Sequence, residues 1–196
     1  MRGFTVIELL IAMAMTLAVM AAALALAHPA HAAFRVQLEA VDVTQRLRAA
    51  VDVLTRDILM AGSGLPSGEA GVAPYGTGGA DSGLTVRYVP EAGAGAVVRS
   101  YYLRIDADAN VSELRRSEGR TDVPVVDHVA AVAFTCFDAA AGLVPLCGDS
   151  SRIRRVRITL RVEGVLRHTR RTDAMFRVPD ETVIVDVAPR ALQAGG

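Results

Sequence analysis

The chain has no tryptophan, only two cysteines and few aromatic residues, and its charges cancel to a formal net charge of +0. Each shortage excludes something. A neutral chain gives no electrostatic footing for nucleic acid or for an acidic partner. The cysteines, Cys136 and Cys147, and the scattered histidines, His28, His31, His128 and His168, form no cluster with metal-ligand spacing. No Ser/His/Asp arrangement, no Cys/His pair in local register and no paired acids in an apolar pattern point to catalysis. There is no internal repeat. No enzymatic activity, metal or cofactor is expected.

The most informative shortage is local. No residue from Leu9 to Ala27 is charged, and Phe4 to Ala27 holds a single charge, Glu8. This stretch carries the excess in a hydrophobic fraction of 52%. As a helix it spans about 36 Å, enough to cross a bilayer core of about 30 Å. Arg2 is the only positive charge before it, which keeps this end cytoplasmic and sends the rest of the chain outward. Glu8 does not suit a simple anchor. A carboxylate in a membrane helix costs about 2.5–3.5 kcal/mol at a central position. Its presence calls for a partner, and a positive charge on another protein fits best.

The run Gly3-Phe4-Thr5-Val6-Ile7-Glu8-Leu9-Leu10-Ile11 resembles the signal of type IV prepilins and of type II secretion pseudopilins. The resemblance implies that a prepilin peptidase cuts after Gly3 and methylates the new amine of Phe4. It implies that Glu8 pairs with the N-terminus of a neighbouring subunit during assembly. Membrane lipid before assembly, other major and minor pilins and an inner-membrane assembly platform are then the expected partners, and no nucleic acid is expected. The leader Met1-Arg2-Gly3 is shorter than the family's usual leader, which points to a start codon upstream. The competing reading is a secretory signal peptide, because Ala30-His31-Ala32 resembles an A-x-A cleavage site. Glu8 at the front of the apolar run and the length of that run argue against it.

His28-Pro29 should interrupt the helix pattern, as a kink at the membrane exit or a local melting point. From Ala33 to Ala61 a helix resumes. Val36, Ala40, Val43, Leu47, Ala50, Leu54, Ile58 and Ala61 fall at steps of three and four and make one apolar stripe. Asp42, Arg46, Asp52, Arg56 and Asp57 are among the residues expected on the wet side. Gly62 and Gly64 should end the helix. The segment Leu54-Thr55-Arg56-Asp57-Ile58-Leu59-Met60-Ala61-Gly62 resembles one found here in PilW-type minor pilins and J-type pseudopilins, with Met60 where arginine is common.

Ser63 to Ser82 reads as a long loop, too far from a strand-loop-helix pattern to bind phosphate through Gly62, Gly64 and Gly68. Strand patterns follow at Leu84–Val89, Val97–Ile105, Ser112–Arg116, Val123–Phe137, Ile153–Val162 and Thr182–Val187. The cleanest alternates Val156, Ile158, Leu160 and Val162 with Arg155, Arg157, Thr159 and Arg161. Arg152, Arg154, Arg155, Arg157 and Arg161 read as a solvated sheet face neutralised by nearby carboxylates rather than a DNA-binding face. Asp106-Ala107-Asp108-Ala109-Asn110 has the opening spacing of a calcium loop, but Val111 stands at the glycine position and Ser117 at the final acid, so a hairpin turn is the better reading. Outside the inner membrane Cys136 and Cys147 can form a disulfide; two separate thiols are the alternative.

The expected architecture is α+β, a long N-terminal helix packed on an antiparallel sheet. Residues 1–3 form the leader, 4–27 the membrane and filament-core helix, 28–62 the amphipathic helix and 63–196 a periplasmic sheet domain. The expected role is that of a type IV pilus minor pilin of the PilW type, held in the inner membrane and then moved into a pilus at the cell surface. The alternatives are a J-type pseudopilin and, from another class, a secreted binding domain released by signal-peptide cleavage.

Overall fold

The computed structural model describes residues 5–76, 83–106, 111–149, 151–164 and 180–190. Its longest element is α1, Val6–Met60, 55 residues and about 82 Å long at the usual rise per residue. Alanine, leucine and methionine dominate its first half and are strong helix formers. Pro29 lies inside α1 and does not end it. A proline there removes one backbone donor and costs about 3 kcal/mol or more. The helix-forming alanines on both sides, Ala27, Ala30, Ala32 and Ala33, carry the helical path across it, so the expected interruption is not a break. The stop is where the glycines put it. Gly62 turns left-handed at φ 81, and its N–H donates to the Arg87 carbonyl at 2.9 Å.

The C-terminal half of α1 buries the expected stripe. Val43, Leu47, Ala50, Leu54, Ile58 and Ala61 are each at most 1% exposed, and Val36 and Ala40 are half-buried. Full burial of a side chain the size of Leu47, Leu54 or Ile58 contributes about 1.5–3 kcal/mol. Nothing comparable covers the N-terminal half, where Val6 to Leu26 face outward.

The strands form two antiparallel sheets rather than one. The first is a five-stranded meander in chain order, β1 (Val72–Tyr75), β2 (Gly83–Tyr88), β3 (Val97–Asp106), β4 (Val111–Glu118) and β5 (Thr121–Val126). The second has the order β7-β6-β8-β9, with β6 Val129–Phe137, β7 Leu143–Val144, β8 Arg155–Val162 and β9 Glu181–Val187. The run expected as one strand from Val123 to Phe137 is therefore two. Asp127 and His128 break it, His128 at φ 55, and the chain passes there from one sheet to the other. An apolar run of that length hides the turn because its two halves share a composition. The loop expected from Ser63 to Ser82 contains β1, whose register pairs Val72 with Val86 and Tyr75 with Gly83. Pro74 and the glycines around it masked the strand, and a proline is tolerated there because β1 is an edge. Gly83 has a packing reason. A Cβ there would collide with the Tyr101 main chain, and the bare position lies beside the stacked rings of Tyr75 and Tyr102, 5.0 Å apart.

The strand patterns otherwise hold. Val156, Ile158, Leu160 and Val162 are at most 1% exposed. Asp106 pairs with Val111 across the ends of β3 and β4, as a hairpin requires; Ala107 to Asn110, most of the rejected calcium loop, lie outside the described residues. Four of the five arginines expected on a wet, neutralised face are ion-paired, whereas Arg154 donates to the Ser151 and Ile153 carbonyls. Arg157 grips Asp186 through two bonds of 2.7 and 2.9 Å, Arg155 shares that carboxylate at 3.6 Å, Arg161 meets Asp180 and Arg152 meets Asp138. The chain holds no lysine, so every such pair uses the planar guanidinium fork. Helix α1 packs on β2, β5, β8 and β9, while β2, β3 and β4 pack against β6.

Cys136 on β6 and Cys147 after β7 form a disulfide, both almost fully buried. It closes a loop of sequence separation 11. Changing both cysteines to serine should lower stability by about 2–4 kcal/mol in urea unfolding of the full chain in detergent. Alkylation of the unreduced native chain should label neither cysteine.

Candidate functional site: the apolar helix and its anchor

Gly3 and Phe4 lie outside the described residues, and so does His168. Glu8 is described, and it has a partner that the residue-by-residue reading missed. Thr5 is the N-cap of α1 and Glu8 its third helical residue. Glu8 Oε2 accepts from the Thr5 N–H and from Thr5 Oγ1, both at 2.9 Å, and Thr5 Oγ1 accepts from the Glu8 N–H at 3.4 Å. This is a capping box, readable in Thr5-Val6-Ile7-Glu8 as threonine followed three positions later by glutamate. So the carboxylate that lipid penalises is half satisfied by the start of its own helix. Among the described residues its second oxygen, Oε1, takes no hydrogen bond.

Beyond Glu8 the helix is bare. Leu9, Leu10, Ile11, Met13, Met15, Leu17, Val19, Met20, Leu24 and Leu26 are all more than half exposed. It is one N-terminal helix long and apolar enough to span a membrane, consistent with a single-pass anchor. The apolar surface does not stop at the length of a bilayer. Phe34, Leu38 and Val41, at 58%, 55% and 55% exposure, follow at steps of four and three on the side away from the buried stripe. Exposed apolar residues from Val6 to Val41 span about 54 Å of helix, with His28 and His31 between Leu26 and Phe34, against about 30 Å of hydrocarbon.

A polar lock holds the other end of α1 to the first sheet. Asp57 is 3% exposed, not on the wet face expected for it. Its position explains why. It lies three residues after Leu54 and four before Ala61, within the apolar stripe. Arg99 Nη1 on β3 donates to Asp57 Oδ1 at 2.8 Å, and Tyr101 Oη donates to Asp57 Oδ2. Arg99 Nε also donates to Glu118 Oε2 at 2.8 Å, and the guanidinium lies over the Tyr88 ring. Burial alone would lower the Arg99 pKa, but the Glu118 hydrogen bond and the Asp57 charge outweigh it and hold the pKa above its ordinary value. Burial pushes the Tyr101 hydroxyl up, and its bond to the Asp57 carboxylate pushes it further. Nearer the bare half of α1, Arg46 meets Asp42 at 2.7 Å, Asp127 at 3.3 Å and Glu39 at 3.5 Å, and Thr44 Oγ1 donates to Glu181 at 2.9 Å. These contacts tie α1 to the turn between the sheets and to β9.

No family model and no curated protein matches the chain. The reading of the site rests on its geometry. Among the described residues no group of three or more His, Cys, Asp or Glu side chains could hold a metal ion. What the arrangement offers is a bare apolar helix continuous with the helix that the folded head buries.

Asp57→Ala should destabilise the chain by about 2–3 kcal/mol, less than a fully buried pair because Arg99 keeps Glu118 and is partly wet. Asp57→Asn, which still accepts from Tyr101, should cost less; chemical denaturation of both variants checks the order. An unfolded tyrosine releases its proton near about pH 10 while folded Tyr101 retains it. This group's contribution is therefore full below that pH and is lost progressively as pH rises from it toward the raised folded pKa. Tyr101→Phe should make the alkaline fall in stability shallower.

Proposed function

We propose that this chain is a subunit of an extracellular filament of the type IV pilin class, a minor pilin of the PilW type. The observation that carries the reading is the length of the exposed apolar rod. A plain membrane anchor needs about 20 apolar residues, and the surface from Val6 to Val41 nearly doubles that reach. Lipid covers only part of it, so the remainder needs protein. A bundle of like helices supplies that cover and replaces the lipid contacts with close packing.

In this reading a prepilin peptidase cuts between Gly3 and Phe4 and methylates the Phe4 amine. The new N-terminus of a neighbouring subunit comes to Glu8, whose Oε1 is open while Oε2 caps its own helix. Until assembly the helix spans the inner membrane with the head in the periplasm, and afterwards it lies in the pilus with other major and minor pilins, delivered by the inner-membrane assembly platform. The Asp57 lock makes the head travel with the helix. A secreted domain released near Ala32 fits less well, because that cut falls in the middle of a continuous helix. The J-type pseudopilin shares the residues behind this reading, and complementation of the two systems separates them.

Glu8→Ala should leave cleavage after Gly3 intact and reduce incorporation into filaments at least about tenfold, a loss of about 1.4 kcal/mol per subunit contact. Immunoblots of sheared filaments and membranes measure both. Normal incorporation of Glu8→Ala would remove the pairing role. Gly3→Ala should slow cleavage itself.

A further inference from the structure

The two sheets have four edges, and three carry features that discourage strand addition. β1 is four residues long with Pro74 inside it. β5 carries Asp122 and Pro124. β9 carries Glu181 and Asp186 and packs against α1. Short strands, prolines, charges and covering elements are the usual protections of an edge. The fourth edge, on β6, has a β-bulge between Val129 and Ala131, but from Ala131 to Thr135 it has no proline and no charge, and among the described residues no strand pairs with it there. β7 pairs only with Cys136 and Phe137.

The direction of the main chain follows from the register. The Asp138 N–H donates to the Gly142 carbonyl on the β7 side, whereas the Phe137 carbonyl accepts from the Arg154 N–H on the β8 side. Alternate residues of a strand share a side. Ala133 and Thr135 therefore bond to β8, while Val132 and Phe134 aim their N–H and C=O groups at the open edge. Among the described residues no backbone group pairs with them there. Ala131 and Ala133 are exposed, and Val132 and Phe134 are half-buried.

We propose that the β6 edge is a strand-acceptor site, which takes one extended, uncharged segment of a different protein chain antiparallel to Ala131–Thr135 and in line with β7. Only an extended backbone satisfies donors and acceptors spaced at every second residue. The side chains set the segment's chemistry. Apolar β-branched residues on its inner face would meet Val132 and Phe134, and small or polar residues suit its outer face beside Ala131 and Ala133. A second copy of this chain fits worse. β2, β3 and β4 pack against β6, so a two-fold pairing through β6 would bring a second layer from each copy to the seam. A lone strand carries no such layer. The site is independent of the filament reading, because it lies on the head and needs neither Gly3 nor Glu8.

The test is residue-resolved amide hydrogen exchange of the full chain in detergent micelles. The probe is a short peptide of alternating valine and threonine with a lysine at each end. In the free chain Val132 and Phe134 should exchange at least about tenfold faster than Ala133 and Thr135. Saturating peptide should slow Val132 and Phe134 at least about tenfold and leave Thr182 and Ile184 on the β9 edge unchanged. Val132→Pro, which removes an outward N–H, should abolish the slowing while cooperative unfolding persists; if it does not fold, the wild-type comparison of the two edges decides alone. Protection of Val132 and Phe134 in the free chain would mean the chain covers its own edge and would overturn the proposal. So would protection that rises with protein concentration rather than with peptide, or no response to the peptide.

Discussion

A helix about 82 Å long cannot hide all its apolar surface in one bilayer or against one small head. Everything else in the molecule accommodates that constraint. The lower half is apolar all round and bare, which suits lipid or a bundle of similar helices. The upper half divides its surface. Val43, Leu47, Ala50, Leu54, Ile58 and Ala61 go to the head, while Phe34, Leu38 and Val41 stay outside. Between them the helix passes Pro29 without ending, so the two halves form one continuous element and a displacement of the rod is a displacement of the head.

The coupling is polar as well as apolar. Burial of a stripe resists separation but says little about register, since an apolar helix can slide on an apolar sheet. Asp57 resists that sliding. Its two carboxylate oxygens are assigned to two side chains of β3, Arg99 and Tyr101, and a shift of one turn would break both bonds and bury an unpaired charge. Arg46 performs a similar task near the turn that joins the sheets. On the second sheet Arg152, Arg155, Arg157 and Arg161 are held by Asp138, Asp180 and Asp186, so most of that basic charge is locally paired.

Much of this was legible in the sequence, for identifiable reasons. Helical spacing of apolar residues gave the buried stripe residue by residue, and strict alternation from Arg155 to Val162 gave the best strand. The misses have physical causes too. The turn at Asp127-His128 was hidden because the valine-rich run continues on both sides of it, and β1 because Pro74 and its glycines resemble a loop. Asp57 was assigned to water by its charge, although its spacing from Leu54 and Ala61 places it in the core face. Glu8 calls for a partner by its place in an apolar run, and the threonine three residues earlier, which marks a capping box within its own helix, is easily passed over beside it. The division into two sheets was not legible, because local pattern carries no information about which strands pair.

The claim that the bare helix passes from lipid into a filament requires that its N-terminus be prepared for that passage. Intact-mass and peptide mass spectrometry of the chain purified from its native membrane tests this directly. The expected result is a mature chain that starts at Phe4 with a methylated amine and retains Ala30 to Ala33 within it. A chain that starts at Ala33 would contradict the account, because it would discard the apolar rod on which the whole arrangement depends.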